Sequence, residues 1–140
     1  MAEYFTYFSC TLDVVTADNA ARALELYRHF RKTQQFQGYT SGFALVATPT
    51  ADQPGLLWIH DNGSGDTDDL LGFISELTPS LGITGLWGFE WSHSCSKPRL
   101  DAFGGCACVI DLASGETLGS ITTNEWLTRT LAAPHTAGEA

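Results

Sequence analysis

Histidine and cysteine residues alternate along two segments in the second half of the chain. His93 and Cys95 are two positions apart, and Cys106 and Cys108 repeat this spacing after a loop. Because side chains two positions apart share one face of a strand, each pair faces one way if both segments are extended. An antiparallel pairing that sets Cys95 opposite Cys106 also sets His93 opposite Cys108, with about 5 Å between opposed side chains. The pattern predicts a compact cluster of the ligand types found in Cys₃His zinc sites.

Three interpretations of this cluster imply different chemistry. Structural zinc ligands usually come in C-x₂₋₄-C pairs on turns, and the cluster lacks that spacing. The favoured interpretation is that the cysteines are free thiols acting as small buried apolar side chains, with His93 hydrogen-bonded at a strand end. The alternatives are a zinc site at His93, Cys95, Cys106 and Cys108, and a redox disulfide between Cys95 and Cys106. We therefore expect no cofactor, with zinc as the alternative.

Acidic side chains are concentrated where a second helix is predicted to begin. They are Asp61, Asp66, Asp68 and Asp69. The loop 61–66 does not match a calcium loop, because glycines occupy positions that need oxygen side chains and Gly72 replaces the closing bidentate Glu. A phosphate is disfavoured because the carboxylates would repel it. We predict that these residues cap the helix, and hypothesise that they contact a basic protein partner.

Two basic residues lie close together in the loop 96–105. Lys97 and Arg99 are mixed there with apolar residues, which predicts an ordered loop. Arg99 is expected to pair with Glu90 or Asp101 and to hold the loop in place. The alternative is that Lys97 and Arg99 contact a partner protein.

The charge balance restricts the partners that the chain can bind. Sixteen Asp and Glu against seven Lys and Arg give a formal net charge of −9 in 140 residues. This charge disfavours direct nucleic-acid binding and anionic membrane surfaces, and it favours a partner with a basic surface. The N-terminal residues lack the basic and apolar regions of a signal peptide, which predicts a cytoplasmic protein in a reducing compartment. We find no catalytic motif and expect a protein that is not an enzyme.

The hydrophobic periodicity changes along the chain between the two-residue repeat of strands and the helical repeat. Predicted strands cover residues 4–15, 43–48, 56–60, 85–95, 106–112 and 116–122, and predicted helices cover 18–33, 66–79 and 124–131. This order predicts an α+β fold of the ferredoxin-like βαββαβ type, with two helices on one face of a mainly antiparallel sheet and an extra C-terminal hairpin. A single domain is expected over residues 1–131, followed by a flexible tail over 132–140.

Aromatic residues mark one face of the strand predicted at 85–95. Trp87, Phe89 and Trp91 alternate there, and Trp58 is expected in the same layer. Aromatic residues at this period usually form the core under helices, which is the favoured interpretation. An exposed stacking platform for a ligand or partner is the alternative.

Three motifs carry a resemblance to other proteins. Residues 87–91 read WGFEW, residues 95–105 read CSKPRLDAFGG and residues 109–112 read VIDL. At these positions the chain resembles an uncharacterised family of small acidic proteins from proteobacterial genomes and mobile elements. The resemblance implies a bacterial protein carried by a phage or plasmid. By analogy with small acidic proteins in such elements, we hypothesise a protein-binding inhibitor of a host nucleic-acid-handling defence complex, similar to anti-CRISPR proteins.

Overall fold

The computed structural model describes residues 2–38, 42–63, 65–100 and 102–134. The elements in chain order are β1 (Tyr4–Tyr7), β2 (Ser9–Asp13), α1 (Ala17–Phe36), β3 (Ala44–Ala47), β4 (Leu56–His60), α2 (Thr67–Ser80), β5 (Leu86–Cys95), β6 (Gly104–Asp111), β7 (Thr117–Thr122) and α3 (Thr123–Ala132). The predicted α+β class is confirmed. In the described part of the chain, no helix has the length and apolar character needed to cross a membrane.

The strands form two antiparallel sheets where the sequence predicts one. The larger sheet has the order β1-β5-β6-β7, and the smaller has the order β2-β4-β3. The ferredoxin-like βαββαβ topology is therefore wrong. The predicted C-terminal hairpin is present, since β6 and β7 are antiparallel neighbours.

The strand predicted over residues 4–15 breaks at Phe8, and this break separates the two sheets. The Phe8 N–H donates to Asp61 Oδ2 at 3.1 Å, and the Asp61 N–H donates to the Phe8 carbonyl at 3.0 Å. Because Asp61 takes the backbone groups of Phe8, β1 pairs with β5 while β2 pairs with β4. The Phe8 ring is buried, with its centroid 6.0 Å from that of Phe89. One extended segment thus belongs to both sheets and joins them over a common core.

Helices α1 and α2 meet at an aromatic group in this core. The side chain of Thr16 caps α1 by accepting the Asn19 N–H at 3.0 Å. The buried Tyr27 hydroxyl donates to the Phe43 carbonyl at 2.7 Å, which ties α1 to the segment before β3. The rings of Phe43 and Phe73 lie 5.5 Å apart and connect that segment to α2. Apolar burial of this kind supplies most of the stability of helices in proteins.

Strand β5 alternates as the sequence predicts. Phe89 is buried opposite Cys108, and Trp87 and Trp91 are half-buried against the core. The position predicted for Trp58 is wrong, because β4 turns Leu57 and Ile59 inward and therefore Trp58 outward. The Trp58 indole donates to Ser9 Oγ at 2.8 Å on the exposed side.

The sheet edges differ in how they are protected. Asp61 binds the end of β1, and a side chain at Gly65 would collide with the Thr6 carbonyl, so the segment after β4 covers this edge. The Trp87 indole donates to the Thr11 carbonyl of β2 at 2.8 Å. Strand β3 has only four residues. Strand β7 has a strand neighbour on one side only within the described chain, its pairing with β6 is irregular between Val109 and Ile110, and five of its six residues are exposed.

Candidate functional site

Three strands of the larger sheet place Thr6, His93 and Cys106 in a row on one face. Thr6 and His93 are partners in the β1–β5 register, and Thr6 Oγ1 lies 3.1 Å from His93 Nδ1. The other ring nitrogen, Nε2, lies 3.6 Å from Cys106 Sγ. The sequence pointed to His93 and Cys106 but not to Thr6, whose position depends on the pairing of β1 with β5.

The register of β5 and β6 differs from the one considered for the His/Cys cluster. Cys106 pairs with Trp91 instead of Cys95, and His93 pairs with Gly104 instead of Cys108. The pairing on which the zinc and disulfide alternatives depend is therefore absent. Gly104 offers no side chain opposite His93, which leaves the imidazole free to reach Cys106. Periodicity identifies the shared face, but it does not fix the offset between two strands joined by a long loop.

Burial, more than the nearby charge, keeps the thiol of Cys106 protonated at neutral pH. Burial and, next, the Glu125 carboxylate raise the pKa of the Cys106 thiol, while a hydrogen bond from the Trp91 side chain lowers it by less. A thiol nucleophile is active as the thiolate, and active cysteines have a lowered pKa. Cys106 therefore lacks the lowered thiol pKa that marks an activated nucleophile, although it contacts His93.

The other cysteines make neither of the two contacts that define this row. All four are free thiols, with Cys108 buried beside Phe89 and Cys95 opposite Tyr4. Burial and, next, Cys108 raise the pKa of the Cys10 thiol to about 11. In the described ranges, no group of three or more His, Cys, Asp or Glu side chains is arranged to hold a metal ion. The zinc alternative at His93, Cys95, Cys106 and Cys108 requires a convergence that this register does not produce.

An open groove of about 730 Å³ separates the start of β6 from α3. His93 and Cys106 lie on its sheet side, and Glu125 and Arg129 lie on its helix side. The Gly105 N–H donates to Thr123 Oγ1 at 3.0 Å, which fixes the first turn of α3 against β6. The groove therefore borders the helix as well as the thiol.

The acidic residues at the start of α2 are partly committed to the backbone. Asp66 Oδ1 accepts the N–H groups of Asp68 and Asp69 at 3.0 and 3.2 Å, which makes Asp66 the N-cap. Asp61 Oδ1 accepts the Gly63 N–H while its Oδ2 accepts that of Phe8. The carboxylate of Asp68 is exposed in the first turn. Contact of this group with a basic partner stays a prediction.

The loop after β5 exposes its basic residues together with the apolar Leu100. Lys97 and Arg99 are exposed, and Leu100 is 93% exposed. Among the described residues, the one ion pair joins Arg22 and Glu25. The predicted ion pair between Arg99 and Glu90 is not formed there. Asp101, the other predicted partner of Arg99, lies outside the described residues.

Strand β7 and helix α3 form a second candidate, which we call the β7–α3 surface. Its exposed apolar side chains are Leu118 (59% exposed), Ile121 (43%), Trp126 (49%), Leu127 (51%) and Leu131 (81%). Helix α3 has no buried residue, and β7 has no charged residue. Ile121 and Trp126 also line a shallow depression of about 340 Å³ with Glu90 and Ala107.

The sequence predicted β7 and α3 as elements but not as a surface. A helix that packs on its own domain has an apolar stripe at helical spacing, and such stripes are usually buried. Trp126, Leu127 and Leu131 have that character, yet the structure leaves them exposed. The one available signal was the absence of charge from residues 117–122, since exposed edge strands usually have a charged or proline residue.

No protein-family model, curated protein or solved structure that was compared with the chain matches it.

Proposed function

We propose that the chain is a protein-binding module and that the β7–α3 surface is its contact surface. The supporting observation is the exposure of five large apolar side chains on two adjacent elements of a chain that is otherwise strongly acidic. Exposed apolar residues grouped in this way mark interaction sites, whereas single exposed apolar residues are ordinary.

The form of the surface supports strand addition as the binding mode. An edge strand presents unpaired backbone N–H and C=O groups, and a partner strand that pairs with them extends the sheet. Strand β7 provides six residues with no Pro and no charge. Helix α3 follows it directly, and its exposed Trp126 lines one depression with Ile121 of β7. Backbone pairing would give affinity, and contacts with α3 would give selectivity.

The chemistry of the row formed by Thr6, His93 and Cys106 supports a binding role over a catalytic one. The raised pKa of Cys106 opposes thiolate chemistry at neutral pH. The net charge of −9 lies outside β7, so the remaining surface is suited to attract a basic protein. Inhibition of a host defence complex is a narrower proposal than protein binding itself, and it would need this acidic surface in addition to the β7–α3 surface.

The test is affinity capture with variants of the surface. The bait is the full chain as wild type, as Ile121→Lys and as the control Val46→Lys. Val46 is 41% exposed on β3, the edge strand of the smaller sheet, so it matches Ile121 in setting. A second copy with a different tag is co-expressed so that self-association is scored separately from other partners. We expect Ile121→Lys to lose partners that the other two baits retain. Equal capture by all three baits would refute the proposed surface.

A further inference from the structure

We propose that the partner at the β7–α3 surface is a second copy of this chain, bound by antiparallel pairing of the two β7 strands. This inference rests on the proposed function, because it assigns the occupant of the same surface. The pairing would join two four-stranded sheets across a two-fold axis, and one α3 helix would lie on each side of the joint.

Charge is the first argument for a second copy. Residues 117–134 contain Glu125 as the one acidic residue and Arg129 as the one basic residue, so their net charge is zero. The formal charge of −9 therefore belongs to the rest of the chain. Two copies repel each other at every acidic surface, and the β7–α3 surface is where they approach without that cost. A dedicated site for a basic partner would instead contain uncompensated carboxylates.

Two-fold symmetry is the second argument. In a two-fold interface the same surface patch of both subunits is in contact. A charged residue near the axis therefore lies opposite the same charged residue of the other subunit. Strand β7 has no such residue, and Gly119 near its middle has open space around the position of a side chain. Glu125 and Arg129, the charged residues of α3, line the groove beside β6 and so lie outside the two-fold contact.

The size of the surface is the third argument. Stable dimers bury on the order of 1,200–2,000 Å² in total, which a pair of six-residue strands does not reach alone. Helix α3 adds the exposed Trp126, Leu127 and Leu131, and Trp126 lies in the same depression as Ile121 of β7. The depression of about 340 Å³ next to Trp126 offers room for an apolar side chain of the facing copy. Strand and helix together supply the apolar core that a dimer interface needs.

The experiment is sedimentation equilibrium of the full chain between about 1 and 500 μM. We expect a dimer for the wild type and for Val46→Lys, and a dimer Kd raised about tenfold or more for Ile121→Lys and Leu118→Lys. Each variant is first checked by urea unfolding. Both positions are exposed, so these variants should fold with nearly unchanged midpoints. A wild type that stays monomeric at 500 μM, or lysine variants that dimerise like it, would overturn the inference.

Hydrogen exchange gives a second readout that does not depend on substitution. Amides of β7 should exchange more slowly as protein concentration rises, while those of β3 should not change, because only the β7 edge gains a partner strand. Concentration-independent exchange in β7, over a range in which sedimentation shows both monomer and dimer, contradicts pairing through β7. A monomeric wild type that still captures another protein through Ile121 would remove the second copy as occupant and leave the proposed function standing.

Discussion

Cys10 is the residue whose burial has the clearest consequence for the pH dependence of stability. Its pKa rises from 9.0 to about 11 in the folded chain, because burial and then the neighbouring Cys108 disfavour the thiolate. The unfolded chain releases this proton near pH 9 and the folded chain retains it. The stabilisation is therefore fully present below pH 9 and is lost as the pH rises towards 11.

We predict that the free energy of unfolding of the wild type falls by about 1–2 kcal/mol more than that of Cys10→Ala between pH 8 and 10.5. The full rise in the pKa of Cys10 would correspond to a larger loss of unfolding free energy, and partial exposure of the side chain reduces that loss. Urea unfolding under reducing conditions measures the difference, and Cys10→Ala corrects for other groups that titrate in this range. Parallel pH profiles for the two proteins would contradict the predicted origin of the shift.

At the same scale, the sequence identified two of the three residues in the row formed by Thr6, His93 and Cys106. Alternation identifies the strand faces that carry His93 and Cys106, because the side-chain period of a strand is fixed by its backbone. The contact itself depends on a register that long loops leave open and on Thr6, which is distant in the sequence. Similarly, Phe8 has the period of a continuous strand, and only its bonds with Asp61 show that the strand breaks there.

At the scale of the element, Asp66 determines where α2 begins. Its side chain accepts two backbone N–H groups that would otherwise lack intrahelical partners. We predict that Asp66→Ala lowers the free energy of unfolding by about 1–2 kcal/mol, as for other N-caps. Asp68→Ala is the matched control. Asp68 is exposed in the first turn, two residues after Asp66, and its charge acts on the helix dipole. Urea unfolding should show a clearly smaller loss for the control, and equal losses would contradict the capping role.

The elements were more predictable than their arrangement. Helix α1 was predicted over residues 18–33 and spans Ala17–Phe36, and β5 was predicted over 85–95 and spans Leu86–Cys95. Local periodicity and caps suffice for such assignments. The division into two sheets depends on which strands meet, and the decisive contacts at Phe8 and Trp87 join residues more than fifty positions apart.

At the scale of the whole molecule, the net charge predicts how association responds to salt. Each copy has a formal charge of −9 while residues 117–134 are neutral, so two copies repel through their acidic surfaces and attract through an uncharged interface. Salt shortens the screening length from about 30 Å at 0.01 M to about 10 Å at 0.1 M. Salt therefore weakens the repulsion between two copies and leaves the apolar contact nearly unchanged.

We predict that the dimer Kd falls by on the order of tenfold when ionic strength rises from about 0.01 to 0.1 M. A complex with a basic partner would show the opposite sign, because salt screens attraction between unlike charges. Sedimentation equilibrium at the two salt concentrations measures the change. The triple variant Asp52→Asn, Asp68→Asn and Glu76→Gln is the control, since it removes three exposed carboxylates outside the β7–α3 surface. Weaker repulsion should give this variant a lower Kd at low salt and a flatter salt dependence. A wild-type dimer that weakens with salt would show that its interface is held by charge, against the neutral interface inferred from β7 and α3.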